Sequence, residues 1–169
     1  MTLELLVHPE DVAAERARVG VALEMAPGWH VYGSEAGETG IPTEVRGQAA
    51  GGEVSPLAWP PTETFGDEEV GYTGQGYSGS VLLPALARFA GPERRLRAEV
   101  SLLACADECI PAEAVLELAW SGASLPPQTE ESARAAFSLG TTDGGSAGLL
   151  RALLLALAGG LLLNLMPCV

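Results

Sequence analysis

The sequence contains no lysine: its nine positive charges are all arginines, set against 22 aspartates and glutamates in 169 residues. A chain with a formal net charge of −13 lacks the basic surface with which nucleic-acid-binding proteins neutralise phosphates, and it is poorly suited to anionic lipid headgroups. Aromatic residues make up only 5%, too few for a base-stacking platform. The two histidines, His8 and His30, are too few for a histidine-rich metal cluster. We therefore expect no nucleic-acid partner.

One long apolar run stands apart from this acidic composition. Residues 148–169 contain one charge, Arg151, and one amide, Asn164. At 1.5 Å per residue, a helix of this length crosses a hydrocarbon core of about 30 Å. A buried core helix is the alternative, but a helix that is apolar on every face needs a large protein around it. We predict a transmembrane helix over 148–169, the first of a longer membrane protein.

The charges before this run predict its orientation. Residues 121–147 contain Glu130, Glu131 and Asp143 against the single Arg134. Because cytoplasmic flanks of membrane helices favour Lys and Arg, the preceding domain is expected on the outer side of the membrane. No signal peptide is recognisable near Met1, so the export signal is expected to have been removed or to precede the sequence.

Five stretches alternate apolar and polar residues with a period of two, which is typical of antiparallel strands with one solvated face. They are Leu3–Val7, Val19–Met25, Ser80–Leu86, Leu96–Ala104 and Glu113–Trp120. Clusters rich in glycine and proline separate them, at 26–28, 47–52, 59–61 and 71–79. Many short strands with such turns predict an all-β antiparallel sandwich over residues 1–121.

Residues 122–147 have the Gly, Ser, Pro and Thr content of a linker. Within them we expect one weak helical turn near Glu130 to Phe137. No convincing helical pattern precedes residue 128. The predicted order is thus a β-sandwich at 1–121, a linker at 122–147 and a membrane helix at 148–169.

Two of the three cysteines, Cys105 and Cys109, lie where one alternating strand ends and the next begins. If these strands form a hairpin, the cysteines oppose each other across its mouth. Opposed residues in an antiparallel pair have Cα atoms roughly 4.5–5.5 Å apart, within the range of about 4.4–6.8 Å that a disulfide needs. A Cys105–Cys109 disulfide is therefore feasible without backbone movement.

The spacing leaves several roles open for this pair. A structural disulfide is common in exported domains, but closing so small a loop stabilises a fold little. A redox-active pair needs exposure and a second cysteine close enough to resolve a mixed disulfide. A zinc site is disfavoured because no second ligand pair exists. Copper(I) bound by the two cysteines and a Met or His stays open.

Asp107 and Glu108 lie between the two cysteines. Negative charge beside a thiolate raises the pKa of the thiol. We expect a pair that reacts slowly with thiols in general and exchanges with docked partners.

Four motifs in order, PGWHVYGSEAGETGIPTEV, WPPTETFG, CADECIPAEA and GGLLLNLMPCV, resemble the DsbD family of membrane thiol:disulfide reductases. The resemblance spans nearly the whole chain. The C-x3-C spacing is more similar to the branch with the copper-sensitivity ScsB-type proteins than to the branch with a longer insert between the cysteines.

The resemblance implies an immunoglobulin-like domain in the periplasm, anchored in the bacterial inner membrane. Such a domain takes electrons from a thioredoxin-like domain and passes them to periplasmic thiol proteins, such as disulfide isomerases or cytochrome c maturation factors. By position, Cys109 would form the mixed disulfide with partners and Cys105 would resolve it. Cys168 matches the first cysteine of the membrane domain. No cofactor and no bound metal are expected.

The resemblance also implies accessory residues. Tyr32 and His30 match positions where the family has aromatic residues near the active cysteines, and Phe65 is the candidate for a cap over the disulfide. Each has a plainer interpretation: Tyr32 and Phe65 as core or turn packing, and His30 as an ordinary strand or surface residue.

Overall fold

The computed structural model describes residues 1–67, 72–120, 124–125 and 127–140. The described chain is mostly antiparallel β-strand, with one short 3-10 turn at Pro9–Asp11 and one α-helix. The strands are β1 (Thr2–Val7), β2 (Arg16–Glu24), β3 (His30–Gly37), β4 (Glu44–Ala49), β5 (Glu53–Val54), β6 (Glu63–Asp67), β7 (Tyr72–Ser78), β8 (Ser80–Arg88), β9 (Arg94–Cys105) and β10 (Cys109–Trp120). The helix is α1 (Pro127–Gly140).

The strands form two sheets that pack face to face. The first has the order β1-β2-β8-β5 and the second β10-β9-β3-β7-β6. β4 also belongs to the second sheet, because β3 and β4 pair in succession with the same edge of β9. Side chains from both sheets form one core cluster, which confirms the predicted all-β sandwich. Its members include Val21, Leu23 and Leu83 from the first sheet and Val31, Val100 and Leu102 from the second.

All five alternating stretches lie in strands, except that Met25 follows the end of β2. On β9 the apolar positions predicted to share one face are all buried: Leu96, Ala98, Val100, Leu102 and Ala104. On β2, Val19, Val21 and Leu23 are buried in the same way. This agreement follows from the pleat, which sends every second side chain into the core.

β7 lies where the sequence predicts only a turn cluster, so that prediction is wrong for most of 71–79. Its glycines permit close contact between strands. A Cβ at Gly76 would lie 2.0 Å from the carbonyl oxygen of Val31, and one at Gly74 would lie 2.6 Å from the ring of Tyr32. Glycine is needed here because backbone and ring approach too closely for any side chain.

The expected weak helical turn is a helix of 14 residues, α1. It packs on the first sheet beside β1 and β8, against the face turned away from the core: one pocket is lined by Leu6, Leu82 and Ala136. Ala133 is fully buried, and the ring of Phe137 meets the His8 ring at 5.0 Å. Tertiary burial of its apolar side adds to the stability of this helix, because isolated helices of about this length are marginal in water.

The predicted membrane helix at 148–169 lies outside the described residues. Within the described ranges, no helix is long and apolar enough to cross a membrane. The domain boundaries at 121 and 147 stay predictions.

Candidate active site

The β9–β10 hairpin brings Cys105 and Cys109 together. They are direct partners in its register and form a disulfide, with Cα atoms 4.1 Å apart. The three residues between them make a tight tip, in which the Ala106 N–H donates to the Glu108 carbonyl oxygen at 3.0 Å. The opposition of the two cysteines expected from the alternating strands is therefore observed.

The two sulfur-bearing residues differ sharply in exposure. Cys105 is 1% exposed, whereas Cys109 is exposed. A thiolate attacking from solvent therefore has access to the sulfur of Cys109 and not to that of Cys105. Because exchange requires access to the attacked sulfur, the geometry favours Cys109 as the reactive end.

The disulfide lies on the outer face of the second sheet, away from the main core. Ala104 and Val31, neighbours of Cys105 and His30, point into that core. Cys105 and His30 therefore point the other way, since successive side chains alternate. The register aligns Cys109, Cys105, His30 and Ser78 in one row across four strands.

Tyr32 covers the buried cysteine. It forms a small apolar cluster with Ala36 and Cys105, against which Leu103 packs. Its own position is held from the loop that follows β3: the Thr43 hydroxyl donates to the Tyr32 carbonyl oxygen at 2.5 Å. The structure places Tyr32, one of the predicted accessory residues, against Cys105.

A second ring pair lies beside this cluster. The His30 imidazole stacks on Phe65, with centroids 4.4 Å apart and planes 21° apart, and meets the Tyr32 ring edge-on at 5.7 Å. Partial burial lowers the pKa of His30. The structure thus brings Phe65 onto His30, the residue paired with Cys105.

The sequence profile of the family described as "Thiol:disulfide interchange protein DsbD, N-terminal" matches residues 4–119, most of the chain. The chain belongs to this family. Among curated proteins, none has a sequence that matches.

A solved structure supports the fold of this DsbD-family chain. The N-terminal periplasmic domain of ScsB from Proteus mirabilis superimposes with a TM-score of 0.55 at 20% identity. The match covers 79% of this chain and 51% of that structure, so the chain spans about half its length. At this identity the likeness concerns the fold.

The acidic tip of the hairpin carries Asp107 and Glu108, both exposed.

Cys168, the third predicted cysteine of the DsbD-type site, lies outside the described residues. Within the described ranges, no group of three or more His, Cys, Asp or Glu side chains is arranged to hold a metal ion.

Three residues around the site were missed in the sequence: Ala36, Gly40 and Thr43. Thr43 is buried and tethers Tyr32, while Gly40, at φ +98°, lies directly against the Tyr32 ring. Nothing in the run GETGIPT separates a packing glycine from a turn glycine. Their roles become visible only in the structure, where the loop after β3 packs against the Tyr32 ring.

Replacing Asp107 with Asn and Glu108 with Gln should lower the pKa of the Cys109 thiol in the reduced protein. Removing nearby negative charge favours the thiolate, by roughly half a unit for exposed charges in water. The pH dependence of iodoacetamide alkylation measures this change. Glu113→Gln, further along β10, serves as the control, and an unchanged profile in the double variant would show that the tip acids do not influence the sulfur.

Proposed function

We propose that this domain is an immunoglobulin-like thiol:disulfide interchange module that passes reducing equivalents through Cys105 and Cys109. It would act as a protein-disulfide reductase within a larger membrane enzyme, and membership of the DsbD family supports this assignment. The observation that carries it is the unequal exposure of two joined cysteines: Cys105 is 1% exposed and Cys109 is open to solvent.

The loading step reduces the domain. A thiolate of a thioredoxin-like donor attacks the Cys109 sulfur, a donor–Cys109 disulfide forms, and the bond to Cys105 breaks. Cys105 leaves as a thiolate and takes up a proton. The donor's second thiol then attacks the donor's own bonded sulfur, so that the donor leaves as a disulfide and Cys109 takes up the second proton. Two electrons have passed to the domain.

The unloading step reverses the roles. The Cys109 thiolate attacks the disulfide of an acceptor, and one acceptor sulfur leaves as a thiolate that is then protonated. Cys105 loses its proton and attacks the Cys109 sulfur of the mixed disulfide, which restores the internal disulfide and frees the second acceptor sulfur as a thiol. The acceptor has gained two electrons and two protons.

The route proposed around this module follows the family. The donor is a thioredoxin-like domain or protein, and the acceptors are periplasmic thiol-disulfide proteins, including those of cytochrome c biogenesis. We place the module in the periplasm, on an inner-membrane anchor formed by 148–169, with Cys168 in the membrane domain. The ScsB structure is that of a periplasmic domain, which is consistent with this location.

The reduction potential of the pair tests the proposal. In the full chain carrying Cys168→Ser, redox titration against dithiothreitol buffers should give a potential above about −300 mV, because structural disulfides fall below that value. The reduced protein should also pass its electrons to a thioredoxin-type disulfide. A potential below that limit with no transfer would mark an inert disulfide, and stoichiometric Cu(I) binding without transfer would mark a copper-binding module.

A further inference from the structure

We propose that His30 accepts the proton of the Cys105 thiol when Cys105 attacks the mixed disulfide, and returns a proton to Cys105 when that residue leaves. This inference rests on the proposed function and assigns the proton transfer of its resolving step. It concerns the residue that pairs with Cys105 across the sheet and that forms no side-chain hydrogen bond with any residue the structure describes.

The register places His30 next to the buried sulfur. His30 and Cys105 are direct partners between β3 and β9 and share the outer face of the sheet. Side chains opposed in this way have Cβ atoms about 4.5–5.5 Å apart. The imidazole can therefore reach the Cys105 sulfur without backbone movement.

Two aromatic rings contact the His30 imidazole. Phe65 stacks on one face at 4.4 Å and Tyr32 meets it edge-on. Among the described residues, none forms a hydrogen bond with either ring nitrogen of His30. By contrast, the Nδ1 atom of His8 accepts from the Glu10 N–H at 3.3 Å. The two rings thus orient His30, and no described residue occupies its nitrogens, which leaves them able to exchange a proton with Cys105.

Cys105 needs such an acceptor. It is 1% exposed, so bulk water has little access to its proton once the disulfide is reduced. Burial in apolar surroundings also disfavours a thiolate in general. Histidine is the side chain that exchanges protons near neutral pH, and burial lowers the pKa of His30, which keeps it neutral and able to accept.

Among the described residues, few other ionisable groups face this imidazole. Tyr32 comes from its own strand, Cys105 from β9 and Cys109 from β10. On the β7 side lies Ser78, whose hydroxyl donates to Glu63 of β6 at 2.7 Å. Asp107 and Glu108 lie at the hairpin tip and are solvated.

The proton balance follows directly. Cys105 gives its proton to His30 as its sulfur bonds to Cys109. The bond between Cys109 and the partner breaks, and the partner sulfur leaves as a thiolate. The imidazolium then releases the proton to that thiolate or to water. Electrons pass only between sulfurs.

Stopped-flow reaction with 5,5′-dithiobis(2-nitrobenzoate) separates the two steps. In the reduced full chain carrying Cys168→Ser, Cys109 releases the first chromophore and Cys105 attack releases the second. His30→Phe keeps an aromatic ring against Phe65 and removes the nitrogens. We expect it to leave the first release unchanged and to slow the second about 100-fold at pH 7, the lower end for general-base catalysis.

The pH profile distinguishes proton transfer from packing. In the wild-type chain, the second release should accelerate as pH rises through the lowered pKa of His30 and the imidazole becomes neutral. His30→Phe and His30→Gln should both lack this inflection, while His8→Phe should keep it. A second release at the wild-type rate and profile in His30→Phe, or an equal slowing of both releases, would overturn the inference. A wild-type chain that never releases the second chromophore would instead overturn the proposed function.

Discussion

Reduced Cys105→Ala protein should accumulate a stable mixed disulfide at Cys109 when it meets an oxidised thiol partner. Cys109 is exposed and can attack, and no second thiol remains to resolve the product. Alanine is preferable to serine because a hydroxyl buried at this position would need a hydrogen-bond partner. With glutathione disulfide as the probe and Cys168→Ser as the background, mass spectrometry should find nearly all of the protein as the Cys109 adduct.

Cys109→Ala is the matched control. The remaining Cys105 is 1% exposed, so adduct formation should be slower by roughly tenfold or more, because thiol reactivity depends on access. Faster trapping at Cys105 than at Cys109 would reverse the assigned roles while leaving redox function possible.

Gly40→Ala should destabilise the fold and uncover the buried cysteine. Gly40 has φ +98°, which costs other residues about 1–3 kcal/mol. A Cβ there would also lie 2.3 Å from Cζ of the Tyr32 ring. Such overpacking adds about 1–3 kcal/mol, for a total loss of about 2–6 kcal/mol in urea unfolding of the oxidised protein. Because Tyr32 packs on Cys105, its displacement should also speed reduction of the disulfide by dithiothreitol.

Gly28→Ala separates the two contributions. Gly28 has φ +85°, but nothing lies within 4 Å of a Cβ at that position. We expect only the backbone cost there, about 1–3 kcal/mol, and no collision with the Tyr32 ring. Equal losses of unfolding free energy and equal reduction rates in the two variants would show that Tyr32 does not depend on contact with Gly40.

The sequence predicts those parts of the fold in which local pattern and burial agree. β2 and β9 alternate with a period of two and bury the expected side chains. β7 does not alternate in this way, because its interior glycines are selected by contacts with Val31 and Tyr32 from another strand. The sequence predicts only a weak turn in place of the 14-residue helix α1 for a similar reason, because packing on β1 and β8 contributes to the stability of this helix.

The sequence likewise predicts some features of the candidate site and not others. Two adjacent alternating strands in the sequence predict that Cys105 and Cys109 oppose each other, because the register of the hairpin alone determines this pairing. The pattern cannot predict that one is buried and the other exposed. Tyr32 and Ala36 from β3 pack on Cys105, whereas Cys109 lies on β10, the last strand of the second sheet. Phe65 reaches the site from β6, and only the family resemblance pointed to it.

The helix α1 and the disulfide lie on opposite sides of the sandwich. The helix covers the outer face of the first sheet, while Cys109 opens on the outer face of the second. Packed sheets are about 10 Å apart, so the full thickness of the sandwich lies between them. Within the described residues, α1 therefore does not cover the surface at which Cys109 is exposed. A protein that exchanges with Cys109 would meet the β9–β10 hairpin and not the helix.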